Sequence, residues 1–480
     1  MSDLKATVAE TKNGFHVEGY EKIEYDFTFL DGVFHKENAQ LAECYKRWGR
    51  ALAVMDANIF DVYGAQMQEY FDHHKLELQI HKTMIGEKAK SMDTLLSIVD
   101  SMNKFGIYRK EPVLVVGGGL VTDVAGFACA AYRRNTNYIR IPTTVIGLID
   151  ASVSIKVAVN YGNYKNRLGA YHAPMHTFLD FGFLRTLPVA QIRNGFAELI
   201  KISTCAHLET FNLLDKYCEQ LINTGFGRTD GAPQEVKDAA DRINRAGIHR
   251  MLELETPNLH EIGLDRIIAY GHTWSPLHEL VPDVPLRHGH AISIDMAYSA
   301  TLAHMRGLIS DEDYKRILNL FSRAGLSMDH PQFDEEILDK GTQAILKTRD
   351  GKLRAAIPAP LGSCVFLNDV DMNEMFEALR KHKEIMKTFP RNGAGLDAHV
   401  DASDTGYTVN AKPVEGAAVK NIASKSLIND DVKDAANAAA AEARQDSVAN
   451  GKTNGVNGHV NGHANGHSNG VSNGVSNGVH

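Results

Sequence analysis

The chain has 480 residues, 44% of them hydrophobic, with 51 Lys and Arg against 59 Asp and Glu, a formal net charge of −8. That length allows a substantial core and two or three domains. The acidic balance argues against a nucleic-acid binder, which would carry a basic face, and no run approaches the roughly 18 uninterrupted apolar residues of a membrane span.

The opening MSDLKATVAETKNG has no apolar leader region, so a cytoplasmic location is expected. Five cysteines, Cys44, Cys129, Cys205, Cys218 and Cys364, are odd in number and lack CxxC spacing. They read as reduced thiols, which excludes a disulfide frame and a thiolate zinc site.

Up to about residue 186, short apolar runs alternate with helical patterns. ALAVMD predicts a buried strand ending at Asp56, and SMDTLLSIVDSMNKFG predicts a helix. VLVV at 113–116 is a further strand, followed at once by Gly117, Gly118 and Gly119 and then by the helical LVTDVAGFACAAY. A glycine turn opening a helix lets backbone amides approach a pyrophosphate at the positive end of the helix dipole. A purely structural turn would look the same. Asp56, at a neighbouring strand end, is placed to accept from a ribose hydroxyl. YIRIPTTVIGLIDASVSIKVAVN supplies Thr143, Thr144, Asp150, Ser152 and Lys156 past another strand, a set suited to a phosphorylated, hydroxylated ligand. The alternation predicts a parallel α/β sheet.

From about Pro188 the pattern turns helical, with one long segment AQIRNGFAELIKISTCAHLETFNLLDKYCEQLI and a second, GHAISIDMAYSATLAHMRG. Between them GHTWSPLHELVPDVPLRHGH places His272 and His288 on either side of a Pro-containing turn. With Glu198 from NGFAELIK they make a two-His, one-carboxylate set that suits Zn²⁺ and leaves a position for substrate. Polar loop histidines without a metal would have the same spacing. Lys156 and Lys201 stand out among the lysines because each sits amid apolar neighbours, in VSIKVAV and AELIKIS. Beyond Arg391 the chain becomes Ala-rich and then a run of Asn-Gly steps, for which disorder is expected. The expected division is 1–186, an α/β domain; 187–390, a helical domain; and 391–480, a low-complexity tail.

The ordered motifs GEKAKS, VVGGGLVTDVAGF, RIPTT, IDASVSIKVAVN, YKNRLGAYHAP, FLRTLP, NGFAELIK, GHTWSP and RHGHA resemble the sugar phosphate cyclases, the family of 3-dehydroquinate synthase, from about Asp56 to Lys387. The resemblance implies an N-terminal NAD-binding α/β domain, a C-terminal α-helical domain binding Zn²⁺ or another divalent metal such as Co²⁺, and a homodimer. It implies NAD contacts at Asp56, Glu87, Lys90, Gly118, Gly119, Asp123, Thr143 and Thr144, with Lys165 beside them, and a metal on Glu198, His272 and His288. It gives substrate phosphate to Lys156, Asn166, Lys201 and Arg134, the last from a neighbouring subunit, and adds Asp150 and Lys347 to the catalytic set. NAD would be reduced and reoxidised within one turnover, ending unchanged while phosphate is lost and the ring closes by an aldol step.

The chain departs from the dehydroquinate synthase pattern. Pro276 stands where GHTFGH has its second, acid-base histidine, Ala269 replaces an asparagine, and His290 replaces the glutamate of HGE. Arg245 stands at a position where a lysine is expected. Ala269, GHTWSP and LRHGHAISIDM are similar to the branch that cyclises sedoheptulose 7-phosphate; Trp274, Pro276 and His290 are similar to its deoxygadusol-forming type, with the valiolone-forming type as the alternative. His290 or His278 is the candidate for the extra water elimination that the former requires, against the reading of either as a packed histidine. An iron-type alcohol dehydrogenase is the rival of a different class.

Overall fold

The structure is a computed structural model that describes residues 5–83, 86–162 and 164–401, and the short strand at 426–427. It opens on an antiparallel hairpin, β1 (Lys5–Thr11) and β2 (Gly14–Tyr20). After β3 (Asp26–Phe29) and the single turn α1 (Gln40–Glu43), strands and helices alternate. They are β4 (Arg50–Asp56), α2 (Ala57–His73), β5 (Glu77–Thr83), α3 (Met92–Phe105), β6 (Val113–Gly117), α4 (Gly119–Ala131) and β7 (Tyr138–Pro142). A second hairpin, β8 (Lys156–Tyr161) and β9 (Tyr164–Tyr171), precedes β10 (His176–Leu179).

The central sheet runs β5-β4-β6-β7-β10-β3 with every pair parallel. β4 from Ala51 onward and all of β6 and β7 are buried, as expected of strands covered on both faces. Register places Asp56, Gly117 and Pro142 at one end of the sheet, since Gly117 pairs with Pro142 and Met55 with Val116. That carboxyl end is where open α/β sheets bind ligands. Ser91 caps α3 by accepting from Thr94 N, and Gly106 ends it in the left-handed conformation at φ 66°.

The second half is built of α5 (Val189–Ala206), α6 (Leu208–Asn223), α7 (Gln234–Glu255), the short α8 (Ser275–His278), α9 (His288–Met305), α10 (Asp311–Ala324) and α11 (Glu335–Thr348). A hairpin, β11 (Ala355–Pro358) and β12 (Cys364–Leu367), and α12 (Met372–Met386) complete it. α9 is buried on every side from Gly289 to Ala303, which marks it as the central helix of the helical half. The parallel sheet followed by a helical half agrees with the expected fold class.

Two expectations need correction. The long helical segment from Ala190 is two helices, broken at His207, whose φ of −156° is not helical and whose Nδ1 caps α6 by accepting from Thr210 N. The segment expected to be disordered from 391 is ordered as far as 401: Leu396 N donates to Gly325 O, Met328 N to Gly393 O, and Leu286 bridges His399. Arg193 and Arg287 anchor this strap, the first through a 2.6 Å ion pair to Asp397 and the second through a hydrogen bond to the Asp397 carbonyl. Composition gave no sign of it because the fixing groups are two distant arginines. Ser426–Leu427 adds a seventh parallel strand, β13, beside β5. The remaining residues of the Asn-Gly-rich tail, with their histidines His459, His463 and His467, lie outside the described residues. Among the described residues no helix is long and apolar enough to cross a membrane.

Candidate metal and dinucleotide site

Glu198 and Lys201 leave the same face of α5, three residues apart. His272 lies on the loop before α8, and His288 is the first residue of α9. One ligand atom from each of Glu198, His272 and His288 falls within 4.8 Å of the others. His288 Nε2 is 3.1 Å from Glu198 Oε1 and 3.3 Å from His272 Nε2. The three residues identified from sequence therefore converge.

Burial and the Lys201 charge push His272 down to about 3, so this ring is neutral at neutral pH. Burial alone would lower His288 too, but Glu279 and Glu198 raise it to about 10. A single proton on His288 Nε2 thus faces one carboxylate oxygen and one neutral imidazole nitrogen. A divalent cation fits the same place: the donor set is two imidazoles and a carboxylate, and a net negative charge is left there once His288 gives up its proton. Glu198 is wholly buried; that would raise its carboxyl, but Lys201 and the two imidazoles hold it well below the usual range.

A second carboxylate orients the ligands. Glu279 Oε2 lies 3.3 Å from His288 Nδ1, an arrangement that fixes the imidazole tautomer and leaves Nε2 for a metal. Burial would raise Glu279, yet His288 and Lys165 bring it down to about 2. Behind the site, Asp295 accepts from Trp274 N at 2.6 Å and from Ser275 N at 2.9 Å, which ties the His272 loop to α9. His272 itself places Nδ1 3.2 Å from the Tyr270 carbonyl.

The glycine turn stands at the start of α4. An added Cβ on Gly118 would come within 3.0 Å of Thr144 Cγ2, and one on Gly119 within 3.3 Å of Ala151 Cβ. Glycine keeps this turn free of tight side-chain contacts and leaves its amides open, as a dinucleotide's phosphates require. Thr143 Oγ1 is buried without a partner among the described residues, and Thr144 Oγ1 accepts from Gly147 N. Asp56 caps α2 by accepting from Asn58 N, and burial raises its carboxyl to about 6. Lys90 pairs with Asp123 at 2.6 Å and also donates to Asn166, which holds a left-handed φ of 51° on β9. Glu87 accepts from Asn160 Nδ2 at 2.9 Å and lies 3.3 Å from Lys165. These observations fit NAD, with its pyrophosphate at the N-terminus of α4.

Polar contacts join the two halves. Lys165 reaches from Glu87 to Glu279, and Lys201 Nζ is 2.6 Å from Glu198 and 3.3 Å from Asp150. Lys156 pairs with Glu261 at 2.9 Å and Glu255 at 3.5 Å, so both α7 and the loop after it face β8.

Other expected residues lie apart from this network. His290, two positions after His288 and so about 200° around the helix, turns away and packs against Ser327, with Nδ1 2.9 Å from Ser327 Oγ. His278 is buried edge-on to Phe333. Burial lowers both rings, to about 3 and about 4 respectively, so both match packed histidines. Lys347 is exposed on the last turn of α11, and its side chain has no ion pair or hydrogen bond among the described residues. Arg134 is exposed on the turn after α4, about 20 Å along that helix from the glycine turn. Arg245 covers the Phe29 ring at 4.1 Å. Glu279, Asn160, Glu255, Glu261 and Asp295 were not singled out from sequence. Glu279 lay inside the GHTWSPLHEL motif, but its role depends on the loop folding back to His288.

The 3-dehydroquinate synthase N-terminal model matches residues 80–194 and the C-terminal model residues 195–347. The chain is 55% identical over 399 residues to the demethyl-4-deoxygadusol synthase of Trichormus variabilis, covering 83% of this chain and 97% of that protein. It is similar to the structure of the 2-epi-5-epi-valiolone synthase of Streptomyces hygroscopicus subsp. jinggangensis with NAD⁺ and Zn²⁺ bound, at 36% identity and a TM-score of 0.72, covering 77% and 99% of the two chains. A probable glycerol dehydrogenase from Sinorhizobium meliloti, at 11% identity and a TM-score of 0.52 over 76% and 98%, shares the fold alone. With both halves matched and the metal and glycine-turn geometry in place, the chain belongs to the 3-dehydroquinate synthase family of sugar phosphate cyclases.

Proposed function

We propose that the chain converts sedoheptulose 7-phosphate to desmethyl-4-deoxygadusol, acting as a carbon–oxygen lyase that eliminates phosphate and closes a carbocycle, with NAD and Zn²⁺ as cofactors. The observation that carries this reading is the 55% identity to a demethyl-4-deoxygadusol synthase across nearly the whole of that protein, against 36% to the valiolone synthase of known structure. Pro276 supports it from the site: at the start of α8 it cannot move a proton, so the acid-base histidine of dehydroquinate synthases has no counterpart at that position.

Bound NAD supplies a hydride acceptor and donor, and a bound divalent cation polarises hydroxyl and carbonyl oxygens. Glu198, His272 and His288 hold the cation, and Glu279 keeps the His288 ring turned toward it. The amides around Gly118 and Gly119 and the start of α4 hold the dinucleotide pyrophosphate; Asp56, Glu87, Lys90, Asp123, Thr143 and Thr144 line its remaining length. Lys156, Lys201 and Asn166 supply two cations and an amide whose charge-assisted bonds would orient a sugar phosphate. Asp150, 3.3 Å from Lys201, keeps that ammonium aimed into the site.

We further propose a homodimer located in the cytoplasm. Support for the dimer comes from Arg134, which one chain alone keeps at the far end of α4, and from the first hairpin. Val8, Phe15 and Val17 share one face of it by register and are 66–76% exposed. A lone two-stranded hairpin is marginal in water, so that face calls for a cover.

The test is mass analysis of the product formed by purified protein from sedoheptulose 7-phosphate, run beside the dehydroquinate synthase substrate. Phosphate release without net NADH is expected, with a product of desmethyl-4-deoxygadusol mass. A product heavier by one water identifies a valiolone synthase instead, and accumulating NADH identifies a dehydrogenase.

A further inference from the structure

Residues 394–401 of the strap run over the elements that present the metal ligands. Around the antiparallel bridge between Leu286 and His399, Arg287 N donates to Ala398 O at 2.8 Å and Val400 N to Pro285 O at 3.0 Å. His399 Nδ1 lies 2.8 Å from the Val284 carbonyl. The strap is thus the backbone partner of the stretch that delivers His288. Leu286 N closes the loop behind that stretch by donating to Glu279 O at 3.0 Å. On α5 the Arg193–Asp397 ion pair stands beside Asn194, whose side chain accepts from Gly289 N at 2.6 Å. Three elements therefore share one partner: α5 with Glu198, the loop from Glu279, and the start of α9 with His288.

We propose that the strap 394–401 is a positioning segment for the metal site, its seating setting the spacing between His288 and Glu198 and so the affinity for the divalent cation. The inference rests on the metal reading of the site and not on the sugar phosphate. The ion pair at Asp397 contributes little, because that side chain is 53% exposed. Arg287 contributes more. Its side chain is 1% exposed, donates to the Asp397 carbonyl and faces Asp401 at 2.9 Å, and the residue is the N-cap of α9, immediately before His288. Lifting the strap takes Asp397 and Asp401 from a buried guanidinium and Ala398 from a buried amide. Arg287 then turns toward solvent and the first turn of α9 follows, while Glu198 stays on α5.

Such a coupling is reciprocal. The factor by which a lifted strap weakens metal binding is the factor by which bound metal opposes opening of the strap. A strap that merely covered α9 would add stability and be indifferent to zinc. Gly395 offers a way to lift it: an added Cβ would fall 2.6 Å from Ser327 N and 2.6 Å from His290 Nδ1, so alanine cannot take the same seat.

The experiment is hydrogen exchange with mass readout on the full-length protein, metal-free and then with saturating zinc. Zinc should slow exchange across 394–401 and at Arg287 by about tenfold, the scale on which groups supporting a ligand set act on metal affinity. Gly395→Ala should lose zinc affinity by a similar factor against a competing chelator, with NAD retained. His272→Ala, which removes a ligand outside the strap contacts, should abolish the effect of zinc on strap exchange. Exchange across 394–401 that zinc leaves unchanged overturns the proposal. So does slowing that persists in His272→Ala, which would put zinc on His399 of the strap itself. A protein that binds no zinc overturns the metal reading and this proposal with it, so the two failures are distinct. Should Gly395→Ala fail to fold, exchange in the unsubstituted protein decides alone.

Discussion

Lys165 donates to Glu279 at 2.7 Å, and through this contact the hairpin beside the glycine turn grips the loop that orients a metal-binding histidine. Lys165 also faces Glu87 at 3.3 Å, while the other Glu279 oxygen faces His288. Glu279→Gln keeps the size of the side chain but removes the charge that raises His288 and pairs with Lys165. Partners of this kind are worth roughly 10- to 100-fold in metal affinity, and a loss of that order is expected. Zinc titration against a competing chelator checks it, and unchanged affinity would remove Glu279 from the site.

Lys156→Ala separates binding from folding. The ammonium is partly exposed and held by Glu255 and Glu261, so its loss should leave the melting temperature nearly unchanged. If it holds substrate phosphate, kcat/KM should fall by about a hundredfold, roughly 2.7 kcal/mol of transition-state binding. NAD retention by the purified variant should match that of the unsubstituted protein. Full activity would take Lys156 out of the mechanism.

The sequence was legible where chemistry is local. The glycine turn, the alternation up to Leu179 and the apolar surroundings of Lys201 each depend on neighbours within one element, and the structure has them as expected. Glu198, His272 and His288 converged because motif resemblance carried information that spacing did not. Glu279 and Asp295 were missed, since each acts only after distant segments meet. The first hairpin was missed although Asn13-Gly14 stands between two alternating runs, KATVAE and FHVEGY. His290 shows the opposite failure: two residues from a ligand in sequence, it faces the other side of α9.

Acid should destabilise the fold through histidines remote from the site. His81, against Ser101, and His382, between Thr301 and the Met328 carbonyl, are both lowered to about 4, chiefly by burial. The unfolded chain takes up these protons near pH 6.5 and the folded chain only near 4, so stability falls as pH drops through that window. The contribution is about 3 kcal/mol for each ring. Asp295, raised to about 6, works in the opposite direction over part of the range, because there the folded state holds the extra proton. Urea melts at pH 7 and pH 4.5 check the balance, and His382→Gln, which keeps an amide in place of the ring, should flatten the difference.

Gly289→Ala tests how closely α9 must approach α5. A Cβ at Gly289 would fall 2.1 Å from the Asn194 carbonyl oxygen, and Gly289 N donates to Asn194 Oδ1 at 2.6 Å. The obstacle is backbone, which cannot rotate aside as a side chain would, so the start of α9 must shift away from α5. His288 occupies that start and Glu198 lies one turn beyond Asn194, so the shift opens the distance between two metal ligands. Overpacking of this kind typically costs about 1–3 kcal/mol, which sets the expected stability loss. The sharper readout is the metal content of the folded variant after gel filtration. If α9 and α5 set the ligand spacing, zinc is lost at a temperature where the helical signal is intact; if the variant retains full zinc, the ligands are held by the loops and the approach of the two helices matters only for packing.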